Sequence, residues 1–120
     1  MLPDKSDTLL AHYSTMSYVS ELLEAGEKMY LFKKGFNHSK VVSIDGEVSI
    51  VGSANMDMRS FEHNFEVMAA IYNKECAQII EKRFLKDLQS CKHIAAGKWA
   101  KREVADKVKE SIARLWSPLL

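Results

Sequence analysis

Apolar positions along the chain switch between helical and strand spacing, and the switches outline its elements. Between residues 8 and 25, Leu9, Tyr13, Met16, Val19 and Leu23 recur every three or four residues, which predicts a helix with one inward face. Asp7 or Thr8 is placed to cap its start and Gly26 to end it, while serines and a threonine weaken its first half. Residues 28–32 read as a short strand closed by a Lys33-Lys34-Gly35 loop. Residues 41–44 and 48–51 are β-branched runs joined across Asp45-Gly46, the strongest short-range hairpin signal a sequence carries. Such a hairpin is marginal alone, so a third strand over 65–72 and covering helices are expected beside it. Asn73 would cap a helix whose inward stripe is Cys76, Ile80, Phe84, Leu88 and Cys91. A last helix over 99–116 carries Val104, Val108, Ile112 and Leu115 on one face and stops at Ser117-Pro118. Helix, strand, hairpin, strand, helix is an α/β order.

Composition narrows this without adding a partner. A chain of 120 residues holds one domain at most, and 47% hydrophobic residues suit a folded one. The formal net charge of +1 gives no sign of the broad basic surface that nucleic acid requires, although Lys28, Lys33, Lys34 and Lys40 lie close in sequence. Cys76 and Cys91, read as lying on one helix, would be roughly 22 Å apart, too far for a disulfide. They read as ordinary helix residues in a reducing compartment. No secretory signal opens the chain, and no run approaches the ~20 apolar residues of a membrane span.

The chemistry gathers in residues 37–66. His38 and Lys40 alternate, so on a strand they leave the same face. Asp45 and Gly46 follow, then a strand ending in Gly52-Ser53-Ala54-Asn55, a small polar turn whose donors suit an anion. Glu66 is the one acid in the otherwise apolar run 65–71. Imidazole serves as nucleophile or proton donor near neutral pH. Lysine holds a phosphate oxygen as a point charge, and hydroxyl and amide donors stabilise charge developing on it. A carboxylate can fix a histidine's tautomer, and an acid on an apolar strand calls for such a partner. Taken singly, each of these residues also has an ordinary structural reading. The spacing carries the case.

That spacing, H-x-K-x4-D-x6-G-S-x-N at His38, Lys40, Asp45, Gly52, Ser53 and Asn55, resembles the HKD motif of the phospholipase D superfamily without departure. The continuation 56–60, the block Asn64-Phe65-Glu66, and the flanks 22–26 and 84–88 resemble the second HKD repeat of bacterial cardiolipin synthases. The resemblance covers almost the whole chain. It implies an α/β/α sandwich around a mixed sheet, present here as a C-terminal partial domain over 1–120, with 98–117 an amphipathic C-terminal helix. It implies a phosphatidyltransferase joining two phosphatidylglycerols to cardiolipin plus glycerol through a phosphohistidine, without cofactor or metal. His38, Lys40, Asp45 and Glu66 would be catalytic, with Lys40, Ser53 and Asn55 on the phosphate. His38 would serve as the acid/base of its repeat, and Asp45 mainly to shape its turn. Arg59 reads by default as a partner of Asp57 or Glu62, with an anionic lipid headgroup as the alternative. Partners would be the phospholipid, an N-terminal HKD domain of a parent chain, a membrane surface on the cytoplasmic side of a bacterial cell membrane, and in its place a second copy of the fragment. Two other readings stay open: a phospholipase D-like hydrolase or nuclease with the same site, and a fragment inactive without a second HKD domain. The C-terminal helix carries six basic against three acidic residues over 98–114, which suits an anionic membrane and equally a helix packed on the domain. Burial of its apolar face would exclude the first.

Overall fold

A computed structural model describes residues 1–120 apart from Lys5, Asp7, Phe36 and Leu120. In chain order the elements are β1 (Leu2–Pro3), α1 (Leu9–Ser17), α2 (Val19–Glu24), β2 (Tyr30–Phe32), β3 (Lys40–Ile44), β4 (Val48–Gly52), a π-helical turn (Arg59–His63), β5 (Met68–Ile71), α3 (Lys74–Leu88), β6 (Cys91–His93), α4 (Ala96–Ala100), α5 (Val104–Leu115) and a 3₁₀ turn (Ser117–Leu119). The chain is α/β, and it divides into two compact units: Met1–Asn37 with Ser90–Leu120, and His38–Gln89.

In the first unit β2 is central, parallel to β1 and antiparallel to β6, with Leu2 opposite Leu31 and Leu31 opposite Lys92. Its core is Met16, Val19, Met29 and Ile94, surrounded by Leu2, Leu23, Leu31 and Trp99. The helix expected over 8–25 is two. Ser17 donates its hydroxyl to the Ser14 carbonyl at 2.6 Å, competing with the helical ladder, and the chain breaks at Tyr18. Thr8 caps the start by accepting the Ala11 N–H at 3.2 Å; the other capping candidate, Asp7, lies outside the described residues. At the far end Gly26, at φ 91°, allows Glu27 N–H to reach Leu22 C=O and its own N–H to reach Leu23 C=O, a Schellman close.

The helix expected over 98–117 is also two. Glu103 is extended (φ −59°, ψ 140°), and Arg102 stacks on the Trp99 ring at 3.8 Å while pairing with Glu110. That ion pair holds the turn between α4 and α5 and is invisible to helical periodicity. Cys91 departs from its expected place as well: α3 ends at Leu88, and Cys91 opens β6. Among the described residues neither cysteine forms a disulfide.

In the second unit β3, β4 and β5 form an antiparallel sheet with β4 central, and α3 lies against β3 and β4. Asn73 caps α3 as expected, accepting Cys76 N–H at 2.9 Å. Cys76, Ala77 and Ile80 face inward, but Phe84 stays 41% exposed. The hairpin turn is closed by Glu47 N–H to Ile44 C=O at 3.0 Å, with Asp45 (φ 53°) and Gly46 (φ 66°) both in the left-handed region. That is why Asp-Gly stands here: Gly reaches this conformation freely, and Asp is among the few side chains that tolerate it.

Candidate functional site

The register of β3, β4 and β5 sets the site. Lys40 begins β3 opposite Gly52, and Gly52 ends β4 opposite Met68, the first residue of β5. A cation, a glycine and the approach to Glu66 thus share one end of the sheet. A side chain at Gly52 would not fit, because a Cβ there would lie 2.8 Å from Met68 Cα and closer still to the Val67 carbonyl oxygen. The glycine of the motif is therefore a packing requirement between β4 and β5.

Beyond Gly52 a hydroxyl replaces the ladder. Ser53 N–H still donates to Val67 C=O at 3.0 Å, but Val67 N–H is taken by the Ser53 hydroxyl, also at 3.0 Å. This substitution makes β5 begin at Met68 instead of the expected Phe65. The same hydroxyl donates to Glu66 Oε2 at 2.5 Å. Glu66 Oε1 accepts from Asn64 Nδ2 at 3.2 Å, and Asn64 Oδ1 accepts from Arg59 Nε at 3.3 Å. The π-helical turn makes this reach: Asn64 N–H bonds Arg59 C=O at 2.8 Å, five residues back. Asp57 holds the start of that turn through Ser60 N–H at 2.7 Å, and Ser60 Oγ accepts Asn55 N–H at 3.0 Å.

These donors hold the Glu66 carboxyl below the ordinary glutamate value. The Ser53 hydrogen bond contributes most, then Asn64, with Ser60 and the charge of Lys40 adding to them. Glu66 is thus an ionised carboxylate within the field of Lys40. It is only half-buried and precedes β5, so it is not the costly acid on an apolar strand that the sequence suggested. Its neighbours Phe65 and Val67 are exposed at 107% and 78%, so the apolar run around it faces outward.

His38 is exposed and stands two residues before β3, where Lys40 Nζ donates to its carbonyl at 3.0 Å. Asp45 is at the opposite end of the hairpin from Lys40, at the turn. Asn55 is exposed in the loop after β4. The structure therefore gathers Lys40, Ser53 and Glu66 at one end of the sheet and leaves Asp45 out. Sequence reading missed Asn64 and Ser60 as partners of Glu66, and it gave Arg59 to an acid where the structure gives it Asn64. The two-residue spacing of Asn64 and Glu66, an amide beside a lone acid, was the signal available for the first. Ser60 and Arg59 depend on a π-helical turn that has no sequence signature.

The family described as cardiolipin synthase, PLD-like domain, matches residues 1–88. Across its whole length the chain is 45% identical to a probable cardiolipin synthase of Bacillus subtilis (strain 168), covering 24% of that protein. It is 42% identical to a cardiolipin synthase of Listeria monocytogenes (serotype 4a, strain HCC23), covering 25% of it. It is also 42% identical to cardiolipin synthase 1 of Staphylococcus epidermidis (strain ATCC 35984), covering 24% of it. The chain spans about a quarter of the length of these curated relatives. No solved structure matches it. With its motif intact and a family match over most of its length, the chain belongs to the cardiolipin synthase family of phospholipase D-like proteins.

Proposed function

We propose that this chain is the C-terminal half-site of a cardiolipin synthase, working with an N-terminal HKD domain of the same parent protein at the cytoplasmic face of a bacterial membrane. The observation that carries the reading is the meeting of Lys40, Ser53 and an ionised Glu66 at one end of the β3–β4–β5 sheet, beside the exposed His38. Two histidines, one from each domain, divide the chemistry. One attacks the phosphorus of a phosphatidylglycerol, the P–O bond to glycerol breaks, and the other histidine protonates the departing alkoxide. The second histidine then takes a proton from a headgroup hydroxyl of another phosphatidylglycerol. That oxygen attacks the phosphohistidine, the P–N bond breaks, and cardiolipin leaves. We assign the acid/base part to His38.

Lys40 neutralises a non-bridging phosphate oxygen, and Asn55 adds a neutral donor. Ser53 has a different part from a simple phosphate donor. With its proton given to Glu66 and its oxygen accepting Val67 N–H, it fixes the carboxylate that would orient His38. Asp45 shapes the hairpin that carries His38 and Lys40 to the site.

The test is conversion of phosphatidylglycerol by membranes carrying the full-length parent, wild type and His38→Gln, with free phosphatidic acid followed in parallel. Cardiolipin that disappears in the variant supports the reading. Phosphatidic acid without cardiolipin would make the enzyme a hydrolase, and unchanged cardiolipin in the variant would remove His38 from the site. The 120-residue chain alone supplies one histidine of the two, so its own transferase activity is expected to be very low. Pairing of two chains through a twofold axis would be its one route to a complete site.

A further inference from the structure

Helix α5 is amphipathic in the reverse sense from a core helix. Its polar side turns inward: Glu110 and Ala113 are buried at 5% and 2%, and Glu110 is paired with Arg102. On the same side Arg114 donates to Glu21 at 2.5 Å and lies over the Tyr18 ring at 4.4 Å. The apolar stripe turns outward. Val104, Val108, Ile112 and Leu115 are 74%, 51%, 56% and 79% exposed, and Trp116 at the end is 51% exposed. At about 100° per residue these four aliphatic side chains fall within one ~80° sector, opposite Glu110 and Ala113. Lys107 lies on one border of the stripe and Lys109 on the other. Lys107 donates to the Ala100 carbonyl at 2.8 Å, and Lys109 donates to Asp106 at 3.4 Å.

We propose that α5 lies flat on an anionic phospholipid surface, with the stripe at the acyl boundary and the two bordering lysines among the headgroups. An outward apolar stripe framed by cations, with an aromatic residue at one end, is the pattern of an interfacial helix. A protein partner fits less well. Four side chains on a single 12-residue helix and one just past its end fall short of the roughly 20–30 residues a side that a standard interface uses. Lys109 is matched in part by Asp106, but Lys107 would need an acidic mate placed against it in a protein, whereas anionic lipid headgroups supply that charge everywhere. Among the described residues no helix is long and apolar enough to cross a membrane, so α5 would rest on the bilayer without spanning it. The inference rests on the proposed function only in that a bilayer lipid is the substrate.

The experiment is co-sedimentation of the 120-residue chain with vesicles of phosphatidylcholine alone and of phosphatidylcholine with phosphatidylserine, a lipid that the proposed reaction does not consume. Binding to the anionic vesicles that weakens with salt is expected, with a blue shift of tryptophan emission that Trp116→Phe abolishes. Ile112→Asp and, separately, Val108→Asp should each lower partitioning about tenfold or more. Both positions are exposed, so circular dichroism and the unfolding midpoint should match wild type. Lys107→Glu with Lys109→Glu should remove the preference for anionic vesicles. Wild-type chain that stays in the supernatant, or aspartate variants that bind as well as wild type, would overturn the proposal. A wild-type dimer dissolved by Ile112→Asp, without vesicle binding, would assign the stripe to a second copy and overturn it too. Phosphatidylserine is not the substrate of the proposed reaction, so failure here is distinct from failure of the transferase reading.

Discussion

The Ser53 hydroxyl donates to Glu66 at 2.5 Å while accepting the N–H of Val67, so one small side chain both ends a sheet ladder and aims a carboxylate. The two tasks are inseparable. Val67 N–H points at Ser53 because β4 and β5 are in register as far as Gly52 and Met68, and that register puts Glu66 within reach.

Removing the hydroxyl should therefore move a titration. In Ser53→Ala the Glu66 carboxyl loses its largest stabilising contact and should titrate closer to the ordinary glutamate value, followed by the carboxyl carbon in NMR. The sign for stability follows from the depressed value. Glu66 contributes stability above its unfolded pKa, and that contribution is lost as pH falls through the folded one. The acid limb of the wild-type stability curve should be steeper than that of Ser53→Ala. Coincident titrations in the two proteins would separate Ser53 from Glu66.

Two glycines should respond in opposite directions to alanine. Gly52→Ala places a methyl against Val67 and Met68 backbone, which cannot yield as a flexible side chain would. An overpacking cost of about 1–3 kcal/mol is expected in urea unfolding. Gly97, at the start of α4, has nothing of the described residues within 4 Å of a Cβ. Gly97→Ala should leave stability unchanged or raise it by about 0.4–1 kcal/mol. If the two substitutions cost the same, close approach is not what keeps glycine at 52.

Asp45 separates a structural role from a chemical one. Its φ of 53° suits Asp or Asn and excludes β-branched residues. Asp45→Asn should preserve stability and, in the parent enzyme, cardiolipin formation. Asp45→Val should cost about 1–2 kcal/mol through backbone strain. Loss of turnover in Asp45→Asn with stability intact would give this carboxylate a part in the chemistry.

Much of this molecule was legible because local chemistry and tertiary structure agree. Asp45-Gly46 can hardly be anything but a hairpin turn, Asn73 is a cap with a helix behind it, and Gly26 closes a helix in the one conformation that favours it. The motif spacing and the block Asn64-Phe65-Glu66 likewise put Lys40, Ser53 and Glu66 in one stretch of the chain. What escaped depends on partners distant in sequence or on shapes without a pattern. β6 is three residues, Cys-Lys-His, and exists because β2, some sixty residues earlier, offers an edge to pair with. The break before α5 depends on Arg102 meeting Glu110, while periodicity runs straight through it. The outward stripe of α5 was visible as a stripe, but nothing in its spacing says which way it faces.

The Arg102–Glu110 pair yields the last prediction. Both side chains are largely buried, at 15% and 7% exposure, and two of the guanidinium nitrogens, Nε and Nη1, have no hydrogen-bond partner among the described residues. Burial holds the Glu110 carboxyl above the ordinary glutamate value, with Arg102 pulling the other way. A raised carboxyl favours the folded state at low pH, and that advantage fades as pH rises through the folded pKa. Arg102→Met keeps the length of the side chain and deletes the charge, leaving Glu110 buried without compensation. A loss of about 3–5 kcal/mol is expected at neutral pH, as for other broken buried pairs. The loss should shrink as the pH is lowered, because Glu110 escapes the penalty by taking a proton. Urea unfolding of wild type and Arg102→Met at matched pH values measures this, and the double variant Arg102→Met with Glu110→Gln should recover most of the loss at neutral pH. A penalty independent of pH would mean that Arg102 stabilises α5 through its stack on Trp99 and not through Glu110.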